Sequence, residues 1–140
     1  MRHVRITAVL LLMLGFVVAT AQAQTGAPGI KVTVPFRFAV GRTTFSAGQY
    51  SVFWSHDKVW IQDANARNVA VSYTGALEGK VPEKNGRIIF DCYLGECFLS
   101  QVWIVGLQAG RELPRSKHQI KLANKNPRQQ FALLGANSQW

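Results

Sequence analysis

The 140-residue chain is poor in the residue types from which catalytic and metal sites are built. It has 3 histidines, 2 cysteines and only 7 acidic residues against 16 basic ones, for a formal net charge of +9. G-x-S-x-G, H-E-x-x-H, a glycine-rich phosphate loop and a calcium loop are all missing. The sequence signatures of the common serine hydrolases, zinc peptidases, nucleotide enzymes and calcium modules go with them. C-x-x-C spacing is absent and so is a second cysteine pair, which argues against a thiol redox enzyme and a cysteine-built zinc site and leaves a regulatory thiol switch as the lesser alternative to a staple. With no repeat at a period of about 20–50 residues, a solenoid is excluded as well. Neither a cofactor nor a metal is expected.

What is present begins with an address. Arg2, His3 and Arg5 precede the apolar run "ITAVLLLMLGFVV", and small residues follow, ending in Ala21-Gln22-Ala23. This three-part pattern predicts a secretory signal peptide over residues 1–23, cleaved after Ala23. As a helix the apolar run rises about 20 Å, short of the roughly 30 Å hydrocarbon core, so it is read as a signal and not as a membrane span. No cysteine lies near the cleavage point, which argues against lipid attachment there. The expected location is therefore secreted or periplasmic. Residues 24–140 suffice for one domain with its own core.

Without Arg2 and Arg5 the chain still carries twice as many basic as acidic residues. Residues 31–110 are nearly balanced, whereas residues 111–128 hold Arg111, Arg115, Lys117, Lys121, Lys125 and Arg128 against Glu112 alone. This basic segment is the candidate anion-contact patch.

Cys92 and Cys97 sit in "FDCYLGECFL". An exported chain meets oxidising conditions, where two cysteines tend to pair. "GRIIFDCY" and "CFLSQVWIV" both read as strands, with Leu94-Gly95-Glu96 at the turn. If residues 93–96 form a four-residue loop, the two cysteines face each other across an antiparallel pair, about 4.5–5.5 Å apart at Cβ. A two-residue Gly95-Glu96 turn would instead leave them diagonal, at about 7–8 Å. The first arrangement predicts a local disulfide staple at a hairpin tip.

Residues 24–29 read as a flexible leader. In "IKVTVPFRFAV" the residues Ile30, Val32, Val34, Phe36, Phe38 and Val40 share one face, which predicts a half-buried strand. Pro35 cannot donate to a ladder, so an edge position or a bulge is expected there. Tyr50, Val52 and Trp54 line a second strand, and Val69, Val71 and Tyr73 form the inward face of another. Residues 75–86 read as an exposed loop. On the second hairpin strand Phe98, Val102 and Ile104 oppose Leu99, Trp103 and Val105. The fold class is therefore mainly β: a single antiparallel meander of six to seven strands, closed as a small barrel or folded as a sandwich, over residues 30–110. Residues 111–140 are expected to pack on it as a short helical C-terminal segment. Ser116-x-x-Gln119 is a capping box, and Asn126-Pro127 opens a second helix ending at Gly135.

The stretches "VPFRFAVGRTTFSAGQYSV", "IIFDCYLGECFLSQVW" and "GRELPRSK" resemble a family of small secreted β-rich proteins of acidobacteria. Its members share a VPF-x-F-x-V-G strand, a P-A-G-x-Y turn and strand, an F-L-S-Q-hydrophobic-W strand and a G-R-E-L-P-x-S segment. The resemblance implies bacterial origin, export and a β-rich domain, and no reaction. Ser46 stands where the family has proline. The cysteine pair occupies a hairpin tip that is otherwise tyrosine-rich and charged, so the staple is a local addition to the fold.

Outside the signal the chain has two histidines, His56 beside Asp57 and His118 beside Lys117. Ser55-His56-Asp57 matches a triad only as letters, because adjacent residues cannot point at one reacting atom. Asp91 and Glu96 flank the hairpin tip and read as solvated charges. A non-enzymatic domain is expected, binding anionic envelope polymers or lipid head groups through its basic segment by counterion release. The same cluster, with Trp60 or Trp140 stacking on bases, fits nucleic acid, but export argues against that role. The alternative is a small barrel holding a compact apolar ligand, with Phe36, Phe38, Tyr50, Trp54 and Tyr73 lining the interior.

Overall fold

The computed structural model describes residues 28–139. The expected signal over residues 1–23, its cleavage after Ala23, most of the leader and Trp140 lie outside the described residues. Along the chain run β1 (Pro28–Val34), β2 (Phe38–Val40), β3 (Thr43–Phe45), β4 (Gly48–Ser55), β5 (Lys58–Gln62) and β6 (Asn68–Tyr73). Then follow β7 (Gly75–Glu78), β8 (Gly86–Tyr93), β9 (Glu96–Trp103), β10 (Ala109–Glu112), the helix α1 (Lys117–Lys125) and β11 (Gln129–Gln139).

The strands form one sheet in the order β3-β2-β9-β8-β11-β1-β4-β5-β6. β6 continues through Thr74 into β7, β7 pairs with β10, and β10 pairs back onto β9. The sheet thus nearly closes on itself, giving a mainly β, barrel-like body with one short helix near its C-terminal end. Among the described residues there are eleven strands, not six or seven, because short strands form where the sequence predicts turns and loops. β7, for example, lies within the stretch read as an exposed loop.

Hydrophobic alternation places the core as expected at the start of the chain. Ile30, Val32, Val34, Phe38 and Val40 are all buried in one cluster. They do not form one strand, however. Proline offers no N–H to a ladder and disfavours regular pairing around it. The chain therefore leaves β1 at Val34 and resumes as β2, which pairs in parallel with β9 through Phe38↔Cys97 and Ala39↔Phe98. β1 itself lies inside the sheet between β11 and β4, so Pro35 marks a break and not an edge.

Two register shifts reverse the facing of later strands. Ile61 pairs with Ala70 and Gln62 with Asn68, leaving Val69 as an extra residue. A bulge of this kind exchanges the two faces of everything beyond it. Ala70 and Ser72 consequently share the face of the buried Ile61 and Val59, while Val71 and Tyr73 are 64% and 65% exposed. Tyr73 does not line the interior; Lys58 Nζ lies over its ring at 5.0 Å on the outside. In β9, Ile89 pairs with Gln101 and Phe90 with Leu99, so Ser100 is the extra residue. Leu99 therefore joins Val102 and Ile104 in the core cluster, whereas Phe98, also buried, lies outside it against Tyr93 and His118.

The other expected aromatics do meet the interior. Phe38 packs edge-on against Tyr50 at 5.1 Å and Phe90 at 5.4 Å, and Phe36 meets Phe90 at 5.1 Å. Trp54 and Phe36 are half-buried against the same cluster. The Tyr50 hydroxyl donates to the Ser46 carbonyl at 2.7 Å, which satisfies its polar end. The space left between Val32, Tyr50, Val52, Ile61, Ile88 and Leu99 is about 10 Å³. That is at most the room of one water, so these side chains fill the barrel.

The C-terminal expectation requires a second correction. No helix spans residues 127–134; β11 occupies residues 129–139 and stands between β8 and β1 near the middle of the sheet. Residues 111–140 are therefore not a segment laid on a finished domain. Leu133 and Leu134 suit a helix locally, but pairing with β8 on one side and β1 on the other outweighs that weak preference.

Candidate functional site

The hairpin tip comes first. Leu94 and Gly95 both take positive φ, 50° and 79°, as the central residues of a two-residue turn that matches the strand twist. Tyr93 thus pairs with Glu96 and Cys92 with Cys97, directly opposite. The two sulfurs lie at disulfide distance, 2.03 Å.

Next to the tip stands α1. Ser116 caps it, its Oγ accepting from the Gln119 N–H at 3.1 Å, which is the N-cap half of the expected capping box. Asn126 closes the other end, donating from Nδ2 to the Leu122 carbonyl at 3.0 Å. Gln119 is buried, and the His118 ring meets Phe98 at 6.2 Å. His118 Nε2 and Glu96 Oε2 lie 2.6 Å apart, tying the helix to the tip of the hairpin. Beneath this contact Asp91 is buried and not solvated. Ser100 Oγ donates to one of its oxygens and Gln130 Nε2 to the other, each at 2.9 Å. Asp91 lies opposite Phe98 on β9 and Gln130 on β11, a placement that depends on β11 being a strand.

Of the six basic residues singled out in the sequence, Lys117, Lys121 and Lys125 fall four apart on α1 and so line one side of it. All three are exposed, and among the described residues none makes an ion pair. α1 contains no acidic residue at all, and like charges at this spacing destabilise a helix by about 0.2–0.5 kcal/mol per pair. Arg111 is half-buried on β10, opposite Ala76 and Val102, and does not belong to this stripe. Arg115 precedes the helix and lines a separate, open cleft with Tyr73, Leu113 and Ile120. Arg128 is exposed just before β11.

The structure adds a feature that the sequence did not reveal. A groove of about 680 Å³ lies between the β2–β3 turn, the hairpin tip and the first residues of α1. Phe38, Ala39, Cys97 and Phe98 give it apolar walls, and Arg37, Arg42 and Lys117 bring three cations to it. None of these three cations has an ionic partner among the described residues; its one acid, Glu96, is engaged by His118. Arg37 and Arg42 carried no local signal. They reach Lys117 only because β2 pairs in parallel with the start of β9.

No catalytic set is assembled here. Among the described residues His118 bonds to Glu96 and to no hydroxyl, Ser116 Oγ serves the helix cap, and both cysteines are tied to each other. The Ser55-His56-Asp57 run is a turn, with Ser55 Oγ against His56 Nδ1 at 3.0 Å and the Asp57 carbonyl accepting from Thr74. Among the described residues no cluster of three or more His, Cys, Asp or Glu could hold a metal ion, and no helix is long and apolar enough to cross a membrane.

Fold and surface together define a barrel-like β domain with a filled interior and a row of three exposed lysines along one helix. No protein-family model, curated protein or solved structure matches the chain.

Proposed function

We propose that this is an exported, non-enzymatic binding domain, secreted or periplasmic, that attaches to anionic polymers or lipid head groups of the cell envelope. The observation that carries the reading is the α1 stripe. Lys117, Lys121 and Lys125 are aligned, exposed and without ionic partners, an arrangement that costs helix stability and gains from a polyanion. An extended anionic surface meeting such a stripe gives up its counterions, which supplies affinity without a shaped pocket. The N-terminal pattern of residues 1–23 supports export, and a cysteine pair at disulfide distance fits an oxidising compartment. The VPF-x-F-x-V-G, F-L-S-Q-x-W and G-R-E-L-P-x-S stretches support, within this proposal, a kinship with the secreted acidobacterial proteins that the chain resembles. The filled interior removes the support for a ligand held inside the barrel.

Retention of the protein on isolated envelope fractions across a salt series tests this. Retention should fall steadily with salt, and Lys121→Glu with Lys125→Glu should release the protein at lower salt than wild type. Retention that ignores salt, or that the double variant leaves unchanged, would refute the charge mechanism. N-terminal sequencing of the exported protein should begin at Gln24.

A further inference from the structure

We propose that the groove beside the hairpin tip binds one small anionic amphiphile: an alkyl or aryl body ending in a single carboxylate or phosphate. This goes beyond envelope attachment and does not depend on it, since Lys121 and Lys125 do not line the groove.

The groove has two chemical halves. Its walls are the apolar junction where Phe38 and Ala39 of β2 meet Cys97 and Phe98 of β9. Its cations come from three separate segments: Arg37 in the break just before β2, Arg42 in the β2–β3 turn and Lys117 in the first turn of α1. At about 680 Å³ it falls within the range of small-molecule sites, roughly 300–1,000 Å³.

The charge is uncompensated from every side. Glu96 is the one acid in the lining, and the His118 ring occupies it at 2.6 Å. The first turn of α1 carries Lys117 and His118 and no acidic residue, although the positive end of the helix dipole favours anions there. An anion entering the groove meets two guanidinium forks suited to carboxylate or phosphate, and an ammonium. A bare inorganic anion would leave the half-exposed Ala39 and Cys97 wetted, and a neutral apolar molecule would leave the cations unpaired and desolvated. Only a ligand carrying both parts satisfies both halves.

Titration calorimetry on the purified protein decides the matter with four probes: octanoate, octyl phosphate, 1-octanol and inorganic phosphate. We expect one site per chain, with octanoate or octyl phosphate binding at least tenfold tighter than octanol and than inorganic phosphate. The headgroup that binds more tightly identifies the anion. The double variant Arg42→Gln, Lys117→Gln should lose at least tenfold in affinity while keeping the wild-type thermal midpoint, and Lys125→Gln should bind as wild type. Octanol binding as tightly as octanoate, inorganic phosphate binding as tightly as octyl phosphate, an unaffected double variant, or no saturable binding would each overturn the proposal. Loss of envelope retention in the Lys121/Lys125 variant bears on the attachment reading alone, so the two can fail separately.

Discussion

The carbonyl oxygen of Lys31 lies 2.6 Å from the point where a β-carbon on Gly135 would stand. Gly135 is the residue at which β11 changes partners: it pairs with Gly86 of β8, and its neighbour Ala136 pairs with Lys31 of β1. Ile30, fully buried, fills the room left by both glycines. Gly135→Ala should therefore destabilise the domain by about 1–3 kcal/mol, the usual cost of overpacking a core. Gly75→Ala, with nothing within 4 Å, should change little. Urea midpoints compare the two, and equal midpoints would show that the crossing tolerates a side chain.

Asp91 is a buried carboxylate held by two neutral donors, Ser100 and Gln130. Asp91→Ala removes the acceptor and leaves the buried Ser100 hydroxyl unpaired, at about 1–3 kcal/mol. Asp91→Asn keeps the shape and one acceptor oxygen and should cost less. If Ala proves no worse than Asn in chemical unfolding, the network contributes nothing to stability.

The Cys92–Cys97 link closes a very short loop, for which the chain-entropy model gives about 2 kcal/mol. Non-reducing mass analysis of the exported protein should find two hydrogens missing, and Cys97→Ser should lower stability by that amount while the domain stays folded. Two free thiols in the exported protein would refute the pairing.

Asp63 gives a pH dependence with a defined sign. The Arg67 backbone N–H, the Arg67 side chain and the Asn65 N–H all donate to its carboxylate and hold its pKa below the ordinary 3.8. A carboxyl lowered on folding contributes stability that is present above the unfolded value and lost as pH falls through the folded one. The stability gap between wild type and Asp63→Asn should thus be constant at neutral pH and shrink below about 3.8. A gap that persists unchanged into strong acid would show that the loop does not depend on the charge.

Local signals were legible where neighbours in sequence are also neighbours in space. The facing cysteines, the Ser116 cap and the buried face of residues 30–40 all follow from turn chemistry, capping and period-two alternation. The same rule misled beyond residues 69 and 100, because a single unpaired residue exchanges inside for outside and leaves no mark in the amino-acid order. Alternation puts Tyr73 inside and groups Phe98 with Val102 for that reason; it also turns Asp91 outward, and the structure covers that outward face with Ser100 and Gln130.

From the amino-acid order alone came a β-rich body, a stapled hairpin and an excess of positive charge near the C-terminal end. Tertiary structure alone decided that β11 completes the sheet between β8 and β1, that the interior is filled, and that Arg37 and Arg42 share a groove with Lys117. The division is physical. Alternation, turns and caps are set by contacts a few residues apart, whereas strand order and surface grooves are set by pairings between segments tens of residues apart, chosen by how the whole core packs.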